Sequence, residues 1–304
     1  MSANLLNLYG QQYSTNVGLL LQQRDSKFGP FVMTGTHAGE QASPVDQIGS
    51  VEMQSVTGRF QTKTRTDAAV DRRWVAPSDF DLQQLVDKFD KLKMLSDPKN
   101  AYVQNTVAAV NRKKGDVIID AFFATALTGK TGTTSTVFPT STSTNTVGVS
   151  TGGTTSNINV AKIKKAIELL LTNNVDLDVE QVACAIGPKQ NTALLNEIEV
   201  ISSDFSPAER PTIDSKGRVM SFLGINFVHT NRLDLGTDDA AGSSRGIPLW
   251  CKSGMHLGLW QDAVYDVREA KEFKGNPWEV YAHMSLGATR IEEGKIIRIW
   301  CRES

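Results

Sequence analysis

Apolar residues recur at helical spacing near the start of the chain, where Leu6, Tyr9, Tyr13, Val17, Leu20 and Leu21 predict a short amphipathic segment within residues 5–24 despite two glycines. The stretch FGPFVMTGTHAGEQASPVDQIGS is dense in Gly and Pro and has no period, which predicts an extended arm. From Ser50 to Trp74 the pattern becomes a polar, Thr- and Val-rich alternation broken at Gly58. It holds too few apolar residues for a buried sheet, so a long exposed β-hairpin is expected. Pro77-Ser78 and Asp81 then form a capping-box-like start, and Leu82, Leu85, Val86, Phe89 and Leu92 follow at helical spacing. A helix is expected there, stopping at Asp97-Pro98. A second and longer helix is expected from about Ala101 to Leu127, with Val103, Val107, Val110, Val117, Ile118 and Phe122 on one broad face and Lys113-Lys114 solvated.

The second half has an α/β texture. Asn159 is placed to cap a helix carrying Ile163, Ile167, Leu170 and Leu171, Val179 to Ile186 reads as a strand, and Gly187-Pro188 turns into a short helix through Leu194-Leu195. GRVMSFLGINFVHTNRL reads as two strands joined around Gly224. Further strands are expected near 248–260, 263–269, 278–286 and 295–301, and the four tryptophans there, Trp250, Trp260, Trp278 and Trp300, are expected as core anchors.

Between the halves lies GKTGTTSTVFPTSTSTNTVGVSTGG, and over half of residues 128–157 are Ser or Thr. With Phe138 as nearly its only large apolar side chain, an exposed, mobile or weakly stranded surface insertion is expected. Two fragments in it imitate chemistry. Gly129-Lys130-Thr131 looks like the end of a phosphate-binding loop, but position 124 is Ala and the lysine falls where a helix ends, so Gly129 reads as a helix C-cap. Gly148-Val149-Ser150-Thr151-Gly152 fits the expression of a nucleophile elbow, yet neither an apolar strand nor a helix flanks it in sequence.

Composition narrows the picture without fixing it. The chain has 304 residues, 40% hydrophobic and 21% charged, with 32 basic and 33 acidic side chains. A net charge of -1 gives no global attraction to nucleic acid or to an anionic membrane. Cys184, Cys251 and Cys301 lie far apart, which suggests neither a disulfide framework nor a zinc site. The acidic stretch DLGTDDAAGSSRG lacks calcium-loop spacing. No signal peptide and no apolar run of membrane-spanning length is read, so a soluble, cytoplasmically synthesised protein is expected, with no catalytic, cofactor or metal site.

The order of these elements resembles the major capsid proteins of tailed bacteriophages, the shell fold known from phage Hong Kong 97. RRWVAPSDFDLQQLVDKFDKLKMLSDPKNAYVQNTVAAVNRKKGDVIIDAFF is similar to that family's passage from extended loop into spine helix, with Asp-Pro before the helix and an Arg-x-x-x-Asp, Arg112 and Asp116, near its end. VACAIGPKQNTALLN resembles its strand, Pro turn and Leu-Leu helix. GRVMSFLGINFVHTNRL resembles its Gly-centred strand ending in Asn-x-Leu, and SLGATRIEEGKIIRIWC its closing Gly-Ala-x-Arg strand pair. The Thr-rich insertion departs from a minimal shell protein.

The resemblance implies an α+β fold with an N-terminal arm (1–49), an extended loop (50–76), a peripheral domain with the spine helix (77–130 and 263–304), the Ser/Thr-rich insertion (131–157) and an α/β axial domain (158–262). It implies a structural protein, not an enzyme, whose copies form hexamers and pentamers of a closed icosahedral virion shell around double-stranded DNA bound without sequence specificity. Portal, scaffolding and decoration proteins are implied further partners; no membrane is. Each loop, through Arg59, Phe60, Lys63, Arg65, Arg72 and Arg73, is then expected to lie over a neighbour's long helix and its flank, where Asp79, Asp81, Asp87 and Asp90 offer opposite charge. A secreted or tail-associated adhesin would also explain the Thr-rich stretch but should bring β repeats, and none is found.

Overall fold

Residues Lys99–Phe123 form one helix, α1, of 25 residues and about 37 Å at 1.5 Å per residue. The computed structural model describes residues 26–86, 99–153, 155–197, 211–233, 235–236 and 244–303. The amphipathic segment expected within 5–24 and most of the acidic stretch 234–246 lie outside them. The chain divides into two compact units, one built on 78–114 and 261–285, the other on 27–77, 115–260 and 286–304.

In the first unit Ser78–Val86 is a strand, β4, where the expected helix should begin, and the rest of that expectation, 87–97, lies outside the described residues. It neighbours Trp278–Arg290 (β15), which neighbours Met255–Glu269 (β14). The sequence SDFDLQQLV satisfies both periods: Phe80 and Leu82 alternate with Asp79, Asp81 and Gln83, and pairing with β15 selects the alternation. Leu85, on the buried face of the helical reading, is exposed. Nor are Lys113 and Lys114 simply solvated. The Lys113 amine lies 4.5 Å from the centre of the Phe80 ring, and Lys114 donates to Asp262 at 2.5 Å.

The second unit is organised by an eight-stranded sheet. Its centre is Val182–Ile186 (β8), buried at all five positions, pairing parallel with Ile225–His229 (β11) and antiparallel with Ser244–Cys251 (β13). β13 pairs antiparallel with Ile296–Arg302 (β16), and Val219–Phe222 (β10) and Thr212–Ile213 (β9) extend the other side, with Leu235–Gly236 (β12) paired to β13. Both faces of β8 are dry, which is why it reads as a continuous apolar run. The turn from β10 to β11 uses Leu223 and Gly224 at φ 50° and 76°, the doubly left-handed geometry that a two-residue hairpin requires.

Val160–Thr172 (α2) packs on β16 and begins where expected, with the Asn159 side chain accepting from the Lys162 amide. Its buried Ile163, Leu169 and Leu170 each stabilise the unit by roughly 2 kcal/mol of removed apolar surface. Pro188–Asn196 (α3) starts at Gly187-Pro188 as predicted. The strand expected over 248–260 is interrupted by a turn at Lys252–Gly254, and β14 then runs on unbroken through 263–269. Trp250 and Trp300 are buried, while Trp260 and Trp278 are half-buried.

The Thr-rich stretch is weakly stranded and largely exposed, as expected, but a few of its residues are tied into the core. Ala126–Thr128 (β5) pairs antiparallel with Thr134–Thr136 (β6), and Gly129, at φ 84°, lies in the turn between them instead of capping a helix. Thr146–Val147 (β7) adds a parallel edge strand to the sheet, pairing with Arg298 and Ile299 of β16. Phe138, Val147 and Val149 are buried, and Asn145 Nδ2 donates to the carbonyls of Glu293 and Ile296. A few residues with partners outweigh a composition that suggests solvent.

α1 ends at Phe123, short of the expected Leu127, because a side chain from another strand takes its terminal carbonyls. Buried Arg290 of β15 donates to the carbonyls of Phe122, Ala124 and Thr136, pairs with Glu293 at 3.3 Å, and stacks on Phe138 at 5.2 Å.

Candidate functional site

The loop of residues 50–69 leaves the second unit from a base of two strands. Asp46–Ile48 (β2) pairs antiparallel with Val70–Trp74 (β3), and Arg73 and Trp74 pair on the other side with β5. The β-ribbon expected over 50–76 is therefore confined to its base, since residues 50–69 carry no strand. Polar anchors hold that base. Arg72 makes a double hydrogen bond to Asp46 at 2.6 and 3.0 Å, which lowers the Asp46 carboxyl pKa and raises that of Arg72. Arg73 is buried and donates to Glu293 at 2.6 Å, Asp71 accepts from the Gly129 amide, and the Trp74 indole donates to the Gly129 carbonyl.

Beyond the base the arms hold each other lightly. Gln54 donates to Thr66 at 3.5 Å, Gln61 accepts from the Thr57 amide, and Arg65 pairs with Asp67 at 2.7 Å with both side chains exposed. At the tip Phe60 has φ 63°, a left-handed conformation that bulky residues rarely adopt, and its ring is wholly exposed. Val51, Met53 and Val56 are exposed as well. Among the described residues, Arg59, Lys63 and Glu52 make no ion pair. Of the six loop residues expected at an interface, four are open to solvent or paired only within the loop; Arg72 and Arg73 are committed to their own subunit.

Asp79 and Asp81 share the exposed face of β4, while Asp87 and Asp90 lie outside the described residues. The same face carries a depression of about 510 Å³, lined by Asp79, Asp81, Gln261, Tyr281, His283 and Ser285 with Phe80 and Met284. The rings of Tyr281 and His283 lie 5.4 Å apart, and Gln83 bonds Glu279, whose carboxyl pKa is lowered by the Arg268 guanidinium.

Neither sequence fragment that imitates chemistry is built for it, since Gly129-Lys130-Thr131 lies in the turn between β5 and β6. Ser150 is exposed in a turn after β7, and α2 begins ten residues later, so no strand–serine–helix elbow exists. Burial pushes the Cys251 and Cys301 thiols up to about 12. Among the described residues no three His, Cys, Asp or Glu side chains converge as metal ligands, and no helix is long and apolar enough to cross a membrane.

Sequence reasoning missed the internal pairings. In sequence Arg290 stands out only as the arginine of Gly-Ala-x-Arg inside an apolar strand. The glycine of that motif has its own reason, because a Cβ at Gly287 would lie 2.1 Å from the Ala76 carbonyl. Asp116 and Arg232, quoted from two separate motifs, meet in a fork-to-carboxylate pair at 2.5 and 2.6 Å. Buried Lys162 donates to the carbonyls of Ser156 and Trp300, and desolvation lowers its pKa.

The profile of the phage capsid protein family matches residues 6–303. No curated protein matches the chain in sequence. Among solved structures, the capsid of the cyanophage P-SCSP1u superposes with a TM-score of 0.73 at 15% identity, covering 100% of this chain and 96% of that one. The capsid asymmetric unit of cyanophage Pam1 gives 0.71 at 14% identity, with 97% of each chain covered. The acidic stable capsid of Helicobacter pylori bacteriophage KHP30 gives 0.68 at 12%, covering 99% of this chain and 97% of that one.

Proposed function

The chain belongs to the phage capsid protein family and is a major capsid protein, and on that premise we propose how its copies hold one another in the shell. The loop of one copy reaches over the flank of the next, and the neighbour contributes β4 with Asp79 and Asp81. The observation that carries this reading is the loop itself: it is anchored at its base by Arg72 and Arg73, yet presents Met53, Val56 and Phe60 to water. Apolar side chains gathered on one exposed arm fit an interaction surface. Arg59, Lys63 and Arg65 supply the complementary charge. Arg72 and Arg73 act as the anchors of the arm.

The remaining assignments follow the same premise: 1–49 as arm, 77–130 with 263–304 as peripheral domain carrying α1 as spine, 131–157 as an insertion packed into the core, and 158–262 as axial domain. The unit formed by 78–114 with 261–285 coincides with part of the peripheral assignment, while 115–130 and 286–304 fall in the other unit. The shell forms in the host cytoplasm from hexamers and pentamers and encloses double-stranded DNA held without sequence specificity. It takes portal and scaffolding proteins as partners and does no catalysis. Each contact is weak, worth about 0 to 1 kcal/mol for an exposed ion pair, and closed symmetry multiplies it.

Replacing residues 52–67 with a short Gly-Ser linker tests the reading. The variant should fold, with unchanged circular dichroism, and electron micrographs should show no closed particles. Shells formed as readily as by the unaltered chain would contradict it.

A further inference from the structure

The loop tip and the β4 depression are opposite in charge, and each presents aromatic surface. At the tip, Phe60 projects a fully exposed ring from a strained backbone, and Arg59 stands beside it without an ion pair among the described residues. In the depression, Asp79 and Asp81 likewise make no ion pair there, and the Tyr281–His283 stack forms an aromatic wall. His283 also has a buried Nδ1 without a hydrogen-bond partner. A space of about 510 Å³ accommodates an aromatic ring with a guanidinium.

We infer that this depression receives the loop tip of a second copy of the chain, with Phe60 lying on the Tyr281–His283 stack and the Arg59 guanidinium between Asp79 and Asp81. The inference rests on the reading of the loop as an arm between subunits and names its seat. Four features carry it. The charges are complementary, two carboxylates facing one guanidinium. The ring has an aromatic surface to cover it, in the offset or edge-on contact that aromatic pairs favour. A planar guanidinium suits carboxylates on alternate positions of one strand face. The arm is long, its ten residues from base to tip spanning up to about 33 Å when extended. The left-handed backbone at Phe60 is then a presenting device, its conformational cost offset only when the ring is seated.

The seat makes docking mainly apolar, with charge setting its orientation. Phe60→Ala should raise the critical concentration for assembly by about tenfold or more and leave most of its salt dependence in place. Arg59→Glu should also impair assembly, and Asp79→Arg with Asp81→Arg should restore it. The direct experiment is covalent. The pair Phe60→Cys with Ser285→Cys, in a chain whose own cysteines are buried, should give a ladder of reducible oligomers in oxidised particles and none in free subunits. Pairing Phe60→Cys with Val179→Cys, a fully separate exposed position, should give none. Two results overturn the inference: shells without the 60–285 cross-link, or an Arg59→Glu defect that the paired reversal does not relieve. If the linker variant lacking 52–67 fails to assemble while the cross-link is absent, the arm reading stands and this seat is wrong. If that variant assembles normally, the arm reading falls and the seat falls with it.

Discussion

Residues 50–69 and 131–153 have the same texture, polar and rich in threonine, and opposite fates. The second stretch carries Phe138, Asn145 and Val147, and each finds a partner in its own subunit: the Phe123 ring at 5.1 Å, the carbonyls of Glu293 and Ile296, and a parallel pairing with β16; Val149 is buried as well. The first carries Met53, Val56 and Phe60, and all three stay in water. The first stretch carries five charged side chains, Glu52, Arg59, Lys63, Arg65 and Asp67, and the second none, yet polarity alone marks both for solvent. What separates them is where the apolar minority finds cover, inside the same chain or, as proposed, on another copy.

The contrast is broken most forcefully by equivalent replacements. A Gly-Ser linker in place of 133–154 should remove at least about 5 kcal/mol, since it deletes a buried phenylalanine, an edge strand and two buried valines, and should leave little soluble folded protein. The same treatment of 52–67 should move the melting temperature by no more than about 2 °C. Calorimetry on both variants decides it, and equal effects would dissolve the distinction.

Arg290→Met sharpens the comparison one step lower. It strands Glu293 without one of its two cations and orphans the carbonyls of Phe122, Ala124 and Thr136, at a cost of about 3 kcal/mol in urea denaturation. Arg290→Lys should recover only part, because one ammonium does not reproduce the fork. Assembly of the surviving fold should still depend on the loop.

The smallest effect is expected at Lys162, whose amine closes the end of the Thr-rich segment at Ser156. Lys162→Met should cost about 1 kcal/mol at neutral pH through two orphaned carbonyls. Burial lowers the folded pKa of this lysine, so between that value and the unfolded 10.5 the unfolded chain binds more protons and stability rises with pH. The unaltered chain should therefore gain stability against Lys162→Met as pH climbs toward 10.5, and a constant difference across the alkaline range would count against the buried, charged amine.

Local rules carried much of the fold. The Asn159 cap, the Gly187-Pro188 start of α3, the Gly224 turn and the dry β8 run each follow from one residue's stereochemistry or one period, and all appear where the sequence puts them. Ser78–Val86 did not, because nine residues satisfy both periods and only pairing with β15 decides. The ties of the Thr-rich segment to the core were missed for a related reason: burial of Phe138 depends on Arg290 and Arg298, about 150 residues away. At the candidate site the basic and acidic residues were legible as charge, but their use was not. Arg72 and Arg73 look like Arg59 in sequence, and only Asp46 and Glu293 reveal them as anchors.

Hydrogen exchange measured on the same protein, free and assembled, tests the central claim most directly. Amides of 145–149 should be protected in both states, since their partners lie within the subunit. Amides of 50–69 should exchange freely in the subunit and become protected in the shell, most strongly around Arg59 and Phe60. Loop amides that exchange equally fast in closed particles would show that no neighbouring copy covers them, and the account of this loop would be wrong.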